Sequence, residues 1–234
     1  MSATKRTLIL SLAGAGAAWI MAKDFWEEPF EKWKREEVLR MLSNSPWAQT
    51  QTFNAVAGGR SPGTAGEKEF FYQFTVRLFS AKPIREAYVR MMQILNKYDQ
   101  MAPEQKQEFN TRFRKALSLD VSDRVIVAMD YATNDPNATR DLRTFLETAR
   151  TETLKQSVYL IAPRHGRLEL REYYPPSPDG TGAKFIFPRL VDGQPVLGPQ
   201  DKEIRFDFYI APVGQRLFVT FKAPKLMYQG QLEY

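Results

Sequence analysis

Residues 67–80, EKEFFYQFTVRLFS, alternate between two kinds of side chain. One set of alternate positions is apolar throughout: Phe70, Tyr72, Phe74, Val76 and Leu78. The other set is more polar: Phe71, Gln73, Thr75 and Arg77. Because successive side chains of a strand point to opposite faces of the sheet, this alternation predicts a β-strand with one face in a hydrophobic core.

Helical patterns follow this strand. Apolar residues recur at three- and four-residue steps from Ile84 to Tyr98, and the same spacing is present in residues 103–117. An apolar strand over 123–132 comes next. The turn Asn134-Asp135-Pro136 then predicts the cap of a third helix, with apolar positions extending to Leu154.

From residue 156 onward the pattern is that of strands only. The predicted strands are Ser157–Ala162, Arg167–Tyr174, Ala183–Pro188, Lys202–Ile210, Gln215–Lys222 and Lys225–Leu232. Helices grouped ahead of a β-rich half are typical of an α+β fold. We therefore expect a mostly antiparallel sheet or sandwich with three inserted or packed helices, plus an N-terminal amphipathic helix.

The start of the chain has the order of an export signal. Lys5 and Arg6 precede an uncharged stretch over residues 7–22, which contains many small residues. The alternatives are a cleaved signal peptide, an uncleaved anchor that contacts the membrane through residues 7–22, and a buried N-terminal helix. We expect an exported protein, either periplasmic or membrane-anchored on the periplasmic side.

The sequence divides into four segments. These are a signal peptide or membrane anchor (1–22), an amphipathic helix (23–47), a glycine-rich loop (48–66) and a single α+β domain with a β-rich C-terminal half (67–234). The amphipathic helix is either docked on the domain or free to bind a partner. Its aromatic residues, together with the tryptophan after it, are the predicted partner-binding residues: Trp26, Phe30, Trp33 and Trp47.

Composition limits the chemistry. The chain of 234 residues has no cysteine, which excludes disulfides, thiolate nucleophiles and lipid attachment through cysteine. Its net charge of +6 is spread over the sequence and does not indicate nucleic-acid binding. We predict no cofactor and no metal site.

Four short sequence boxes resemble a known group of proteins. They are Asn44-Ser45-Pro46-Trp47-Ala48, the segment Phe79-Ser80-Ala81-Lys82-Pro83-Ile84-Arg85-Glu86-Ala87, Phe185-Ile186-Phe187-Pro188-Arg189, and Met227-Tyr228-Gln229-Gly230. Together they resemble an uncharacterised family of exported bacterial proteins, in which an NSPWA-like segment precedes a strand ending in SAxPIREA or SAxPVREA. The resemblance implies an envelope protein. It assigns no activity and no functional residues.

Candidate catalytic residues are few. His165 is the one histidine of the sequence and lies in a predicted hairpin turn, and no GxSxG elbow accompanies it. Carboxylates on predicted strands, from which a glycosidase-like pair would have to come, include Asp130, Glu169, Glu172 and Asp207. Aromatic residues beside arginines, at 171–174 and 216–218, are expected to belong to the sheet core.

These observations favour a non-enzymatic envelope protein. We expect it to bind a protein partner, or to be an accessory subunit of an envelope or membrane assembly. Two alternatives stay open at this point: an exported hydrolase that uses carboxylates or His165, and a carrier of a small amphiphile held in an apolar cavity between a curved sheet and the helices.

Overall fold

The computed structural model describes residues 24–57 and 68–234. The predicted signal or anchor, residues 1–22, lies outside the described residues, as do the glycines between 58 and 66. Within the two described ranges no helix has the length and apolarity needed to cross a membrane.

The N-terminal segment is not one helix. Two 3-10 turns, Phe25–Glu27 and Phe30–Lys32, precede the first α-helix, which begins only at Arg35. Pro29, which the sequence places inside the predicted helix, has φ −54° and ψ 135° and precedes the second turn in an extended conformation. The prediction of an amphipathic helix over 23–47 is therefore wrong before Arg35, because a proline interior to a helix removes a hydrogen bond and clashes with the preceding turn.

The helices of the described residues are α1 Arg35–Ser43, α2 Lys82–Leu95, α3 Pro103–Leu117, α4 Pro136–Thr148 and α5 Thr151–Leu154. Three more 3-10 turns are Tyr98–Gln100, Ala211–Val213 and Ala223–Lys225. Helix α3 has the predicted bounds. The predicted cap of α4 is also present, since the Asp135 side chain accepts a hydrogen bond of 2.9 Å from the backbone N–H of Asn137.

The strands are β1 Ala48–Ala57, β2 Lys68–Leu78, β3 Arg124–Thr133, β4 Val158–Ala162, β5 Gly166–Glu169, β6 Glu172–Tyr174, β7 Ala183–Pro188, β8 Leu190–Val191, β9 Gln194–Pro195, β10 Glu203–Ile210, β11 Gln215–Lys222, β12 Met227–Tyr228 and β13 Gln231–Leu232. They form a five-stranded sheet in the order β1-β2-β3-β7-β6, a four-stranded sheet in the order β11-β10-β4-β5, and two short hairpins. All the pairings are antiparallel, and the α+β architecture predicted from the sequence is confirmed.

Strand β1 corrects the predicted loop over 48–66. Residues 48–57 pair along their whole length with β2, from Ala48 opposite Arg77 to Ala57 opposite Lys68. The glutamines and threonines of β1 look like loop residues, but threonine suits a strand and the polar positions lie at the surface of an edge strand.

The two sheets pack face to face around an aromatic core. The ring of Phe185 on β7 lies 5.3 Å from the rings of Phe206 and Phe208 on β10. The sheets also approach each other at their edges, where the backbone N–H of Phe218 on β11 donates to the Gln51 side chain on β1 at 3.0 Å. Buried side chains from both sheets and from α1, α2 and α4 form one continuous cluster.

The chain crosses between the sheets at Leu170 and Arg171. The sequence predicts one strand over Arg167–Tyr174, whereas the structure has β5 in the four-stranded sheet and β6 in the five-stranded one. Leu170 is buried at the crossing point. Apolar periodicity does not reveal such a crossing, because both halves keep a core-facing residue.

Candidate functional site

The four predicted partner-binding residues lie largely inside the protein. Trp33 and Trp47 are 1% and 0% exposed, and their indole N–H groups donate to the backbone carbonyls of Glu28 and Glu233 at 3.0 and 2.9 Å. Trp26 and Phe30 are half-buried and pack against the same core. The prediction is therefore wrong for Trp33 and Trp47, because a tryptophan that is fully buried with its N–H satisfied offers no surface to a partner.

Three of the four sequence boxes that carry the family resemblance come together in space. The Trp47 ring of the first box lies edge-on to Tyr228 of the last box, with centroids 6.0 Å apart. The Tyr228 hydroxyl donates to the carboxylate of Glu86 in the second box. At the start of α2, the backbone N–H of Lys82 donates to the Glu233 carboxylate at 2.8 Å. We call Trp47, Lys82, Glu86, Tyr228 and Glu233 the C-terminal clamp.

The C-terminal clamp contains one buried carboxylate, that of Glu86. Burial raises the pKa of the Glu86 carboxyl, and the hydrogen bond from Tyr228 opposes that shift. Burial and the neighbouring Glu86 also raise the pKa of Tyr228, so the phenol remains a proton donor. The Lys82 ammonium lies 3.7 Å from the other Glu86 oxygen. With a contact at each Glu86 oxygen, this cluster fastens the C-terminal segment to α2.

The candidate carboxylates are distributed over both sheets. Asp130 and Glu172 lie on the five-stranded sheet, and Asp207 and Glu169 on the four-stranded sheet. Asp130 is paired with Arg77 at 2.5 Å. Asp207 and Glu169 flank Tyr159 in register, which puts their backbones roughly 10 Å apart at the usual strand spacing. Of this pair only Glu169 is exposed, because Asp207 is buried.

Asp207 is also committed to another partner. Its two carboxylate oxygens accept hydrogen bonds of 2.9 and 2.8 Å from Arg216. This bidentate ion pair engages both oxygens of the carboxylate with one guanidinium. His165 lies in the predicted turn between β4 and β5, and its Nε2 atom is buried without a hydrogen-bond partner. Over the described part of the chain, no three histidine, aspartate or glutamate side chains are grouped as a metal site.

The most distinctive surface is the outer face of the four-stranded sheet. Its residues alternate with buried core positions on each strand: Tyr159 and Ile161 on β4, Arg167 and Glu169 on β5, Glu203, Arg205, Asp207 and Tyr209 on β10, and Arg216, Phe218, Thr220 and Lys222 on β11. We call this set the aromatic–arginine face. Tyr209 and Phe218 are 47% and 45% exposed, so it is open to solvent.

Strand register places arginines over aromatic rings on this face. The guanidinium carbon of Arg216 lies 4.9 Å from the centroid of the Phe218 ring, and that of Arg167 lies 5.0 Å from the Tyr159 centroid. Asp207 is directly opposite both Phe218 and Tyr159 in the sheet. From this position it holds Arg216 against the phenyl ring, so that one arginine–aromatic pair is fixed from below by a buried carboxylate.

The expectation that the aromatics at 171–174 and 216–218 belong to the core is only partly right. Tyr173 is buried and its hydroxyl donates to the Leu146 carbonyl at 2.6 Å, but Tyr174 and Phe218 are exposed. The alternation of apolar residues in β11 could have indicated that Phe218 faces outward. Leu217, Val219 and Phe221 form the inward set, which leaves Phe218 on the outside.

In comparisons with known proteins, no family model, no curated protein and no solved structure matches this chain.

Proposed function

We propose that this protein is a non-enzymatic protein of the bacterial envelope that binds another protein through the aromatic–arginine face, as an accessory subunit of an envelope or membrane assembly. The observation that carries this proposal is the exposure of Tyr209 and Phe218 beside ordered arginines. Tyrosine, phenylalanine and arginine are enriched in the cores of protein interfaces. The two aromatic side chains bury much area and lose little side-chain freedom on binding.

The charges of the face indicate what the partner presents. Four cations, Arg167, Arg205, Arg216 and Lys222, stand against the carboxylates of Glu169, Glu203 and Asp207. Asp207 is buried under Arg216, so the outermost layer is more basic than this count suggests. Among the described residues, no carboxylate lies within 4.0 Å of the Arg167 or Lys222 side-chain nitrogens. We expect a partner surface with apolar side chains flanked by carboxylates.

Site-specific photo-crosslinking in cells tests this proposal. A photoreactive phenylalanine analogue at Phe218 or at Tyr209 should give one discrete adduct with a second protein. The matched control is the same analogue at Leu95, which is more exposed than either residue but lies at the end of α2. An adduct from the sheet positions and none from Leu95 is the expected result.

Charge reversal separates recognition from chance proximity. Lys222→Glu, introduced together with the analogue at Phe218 on the same strand, should strongly reduce the adduct, because it places a repelling charge against the partner's carboxylates at an exposed position. The same reversal at Arg143, an exposed arginine of α4, should leave the adduct unchanged. Equal adducts from all three analogue positions, or an adduct that is as strong with Lys222→Glu as with the Arg143 reversal, would remove the support for this surface.

A further inference from the structure

A cleft of about 540 Å³ lies between α2, α3 and the turn at Phe30. Its lining includes Val89, Arg90 and Gln93 from α2, and Phe113 and Leu117 from α3. Clefts of about 300–1,000 Å³ between helices are a usual place for small ligands. The aromatic–arginine face lies on the four-stranded sheet and shares no residue with this cleft.

The polar end of the cleft is built around Arg90. Its Nε atom donates to the Trp33 carbonyl at 3.0 Å, and one terminal nitrogen donates to the Gln93 side chain at 3.2 Å. Gln93 is itself buried. These two bonds fix the guanidinium in position before any ligand arrives, which lowers the entropy lost on binding.

The carboxylates near Arg90 compensate its charge only weakly. The nearest, Asp99, is 3.9 Å away and its side chain is 80% exposed, whereas the Arg90 side chain is 12% exposed. Glu31 at the rim is exposed as well. Because water screens the exposed acids far more than the enclosed cation, the floor of the cleft is positive. An anionic ligand group that takes the place of Asp99 beside Arg90 would pair with this guanidinium in a site less exposed to water than Asp99 is.

The other end of the cleft is apolar. Val89 is buried, Phe30 and Phe113 are half-buried, and Leu117 is exposed. Phe109 is the one buried residue of α3, and the other apolar side chains of this helix remain at least partly exposed. An alkyl chain laid along Phe113 and Leu117 would remove apolar surface from water. Each Å² of apolar surface buried in this way favours binding by about 25 cal/mol.

We propose that the cleft binds a small amphiphile with one anionic headgroup and an alkyl chain. The headgroup contacts the free side of the Arg90 guanidinium, and the chain lies against Phe113 and Leu117. A carboxylate and a phosphate monoester share the chemistry that a guanidinium recognises. This ligand site is independent of the protein partner proposed above.

Photolabelling of the full-length chain in its own membranes tests the site. Three probes share one long alkyl chain with a diazirine and differ in the headgroup, which is a carboxylate, a phosphate or an uncharged hydroxyl. Peptide mass spectrometry then locates the label. We expect the peptides that contain residues 89–93 and 110–118 to be labelled about tenfold more by at least one anionic probe than by the alcohol, as a difference of about 1.4 kcal/mol in binding predicts.

A matched pair of variants completes the test. Leu117→Glu places a charge against the chain and should lower labelling about tenfold, whereas Leu95→Glu, at an exposed leucine outside the lining, should not change it. Both are surface positions, so the fold is retained, which circular dichroism verifies. Equal labelling by the alcohol and the anionic probes would overturn the site, as would equal effects of the two variants.

Discussion

Replacing Tyr228 by phenylalanine removes one hydroxyl from the C-terminal clamp and leaves the ring in place. In the wild type this hydroxyl donates to a carboxylate oxygen of the buried Glu86. The Lys82 ammonium, 3.7 Å from the other oxygen, is too far away to replace a hydrogen bond. A hydrogen bond to a charged group contributes about 1.5–3 kcal/mol, and we expect Tyr228→Phe to lower the free energy of unfolding by about that amount.

Tyr174→Phe provides the matched control. Its hydroxyl makes the same kind of bond, 2.6 Å to the Glu172 carboxylate, but at the surface, where water replaces the lost donor. Surface changes of this kind stay within about 0.5 kcal/mol. Equilibrium urea unfolding, followed by tryptophan fluorescence, should show a midpoint about 1 M lower for Tyr228→Phe, given a slope of about 2–3 kcal/mol per M. Equal midpoints for the two variants would show that burial does not strengthen the hydrogen bond between Tyr228 and Glu86.

Two further predictions concern pH and backbone strain. Burial raises the folded-state pKa of Glu86 above its ordinary value of 4.5, so the folded protein holds this proton to higher pH than the unfolded chain does. The free energy of unfolding of the wild type should therefore fall relative to that of Glu86→Gln as pH rises from about 4.5 through the raised pKa. Urea titrations of both proteins at a series of pH values should show this difference. Parallel curves of unfolding free energy against pH would contradict it. Gly182 has φ +80°, and a Cβ there would lie 2.4 Å from the Met129 carbonyl oxygen, whereas Gly180 has φ +73° and open space around it. Gly182→Ala should therefore cost roughly 2–3 kcal/mol and Gly180→Ala about 1–2 kcal/mol, which thermal unfolding can compare; equal costs would be evidence against the close contact.

Much of the fold was predictable because the core strands have strict alternation. The bounds of β7, β11 and α3 agree with the sequence prediction, and β10 differs by one residue. In β10, β11 and α3 the apolar positions repeat with the period of the element, whereas β7 is a short apolar run; a glycine, a proline or a helix cap lies near one end of each.

The errors lie where local pattern and tertiary environment disagree. In β1 the polar side chains of an edge strand hide the strand from a hydrophobicity pattern, and the pairing with β2 that stabilises it is not encoded locally. Ahead of α1, helical spacing of aromatic residues suggested a helix, but Pro29 and the packing of Trp33 impose two 3-10 turns. Aromatic spacing on its own does not distinguish a helix from an irregular segment anchored by its rings.

The candidate surface was harder to predict than the fold. The sequence analysis predicted Trp26, Phe30, Trp33 and Trp47 as the contact residues. Of these, Trp33 and Trp47 are buried in the core. Phe218 lies in the open because its strand turns the neighbouring leucine and valine inward. Which of several aromatics faces solvent depends on the register of the sheet, and that register follows from pairings between distant parts of the chain.

Isolation of the protein from native membranes, alongside a variant with Tyr209→Ala and Phe218→Ala, tests directly whether the aromatic–arginine face binds a second protein. Quantitative mass spectrometry of the two preparations should find a second protein in a fixed ratio to the wild type and should find it depleted at least tenfold from the variant, because truncated aromatic anchors each cost about 2 kcal/mol or more. Recovery of the wild-type protein alone would contradict binding through this face. Equal recovery of the second protein with the wild type and with the variant would contradict it as well.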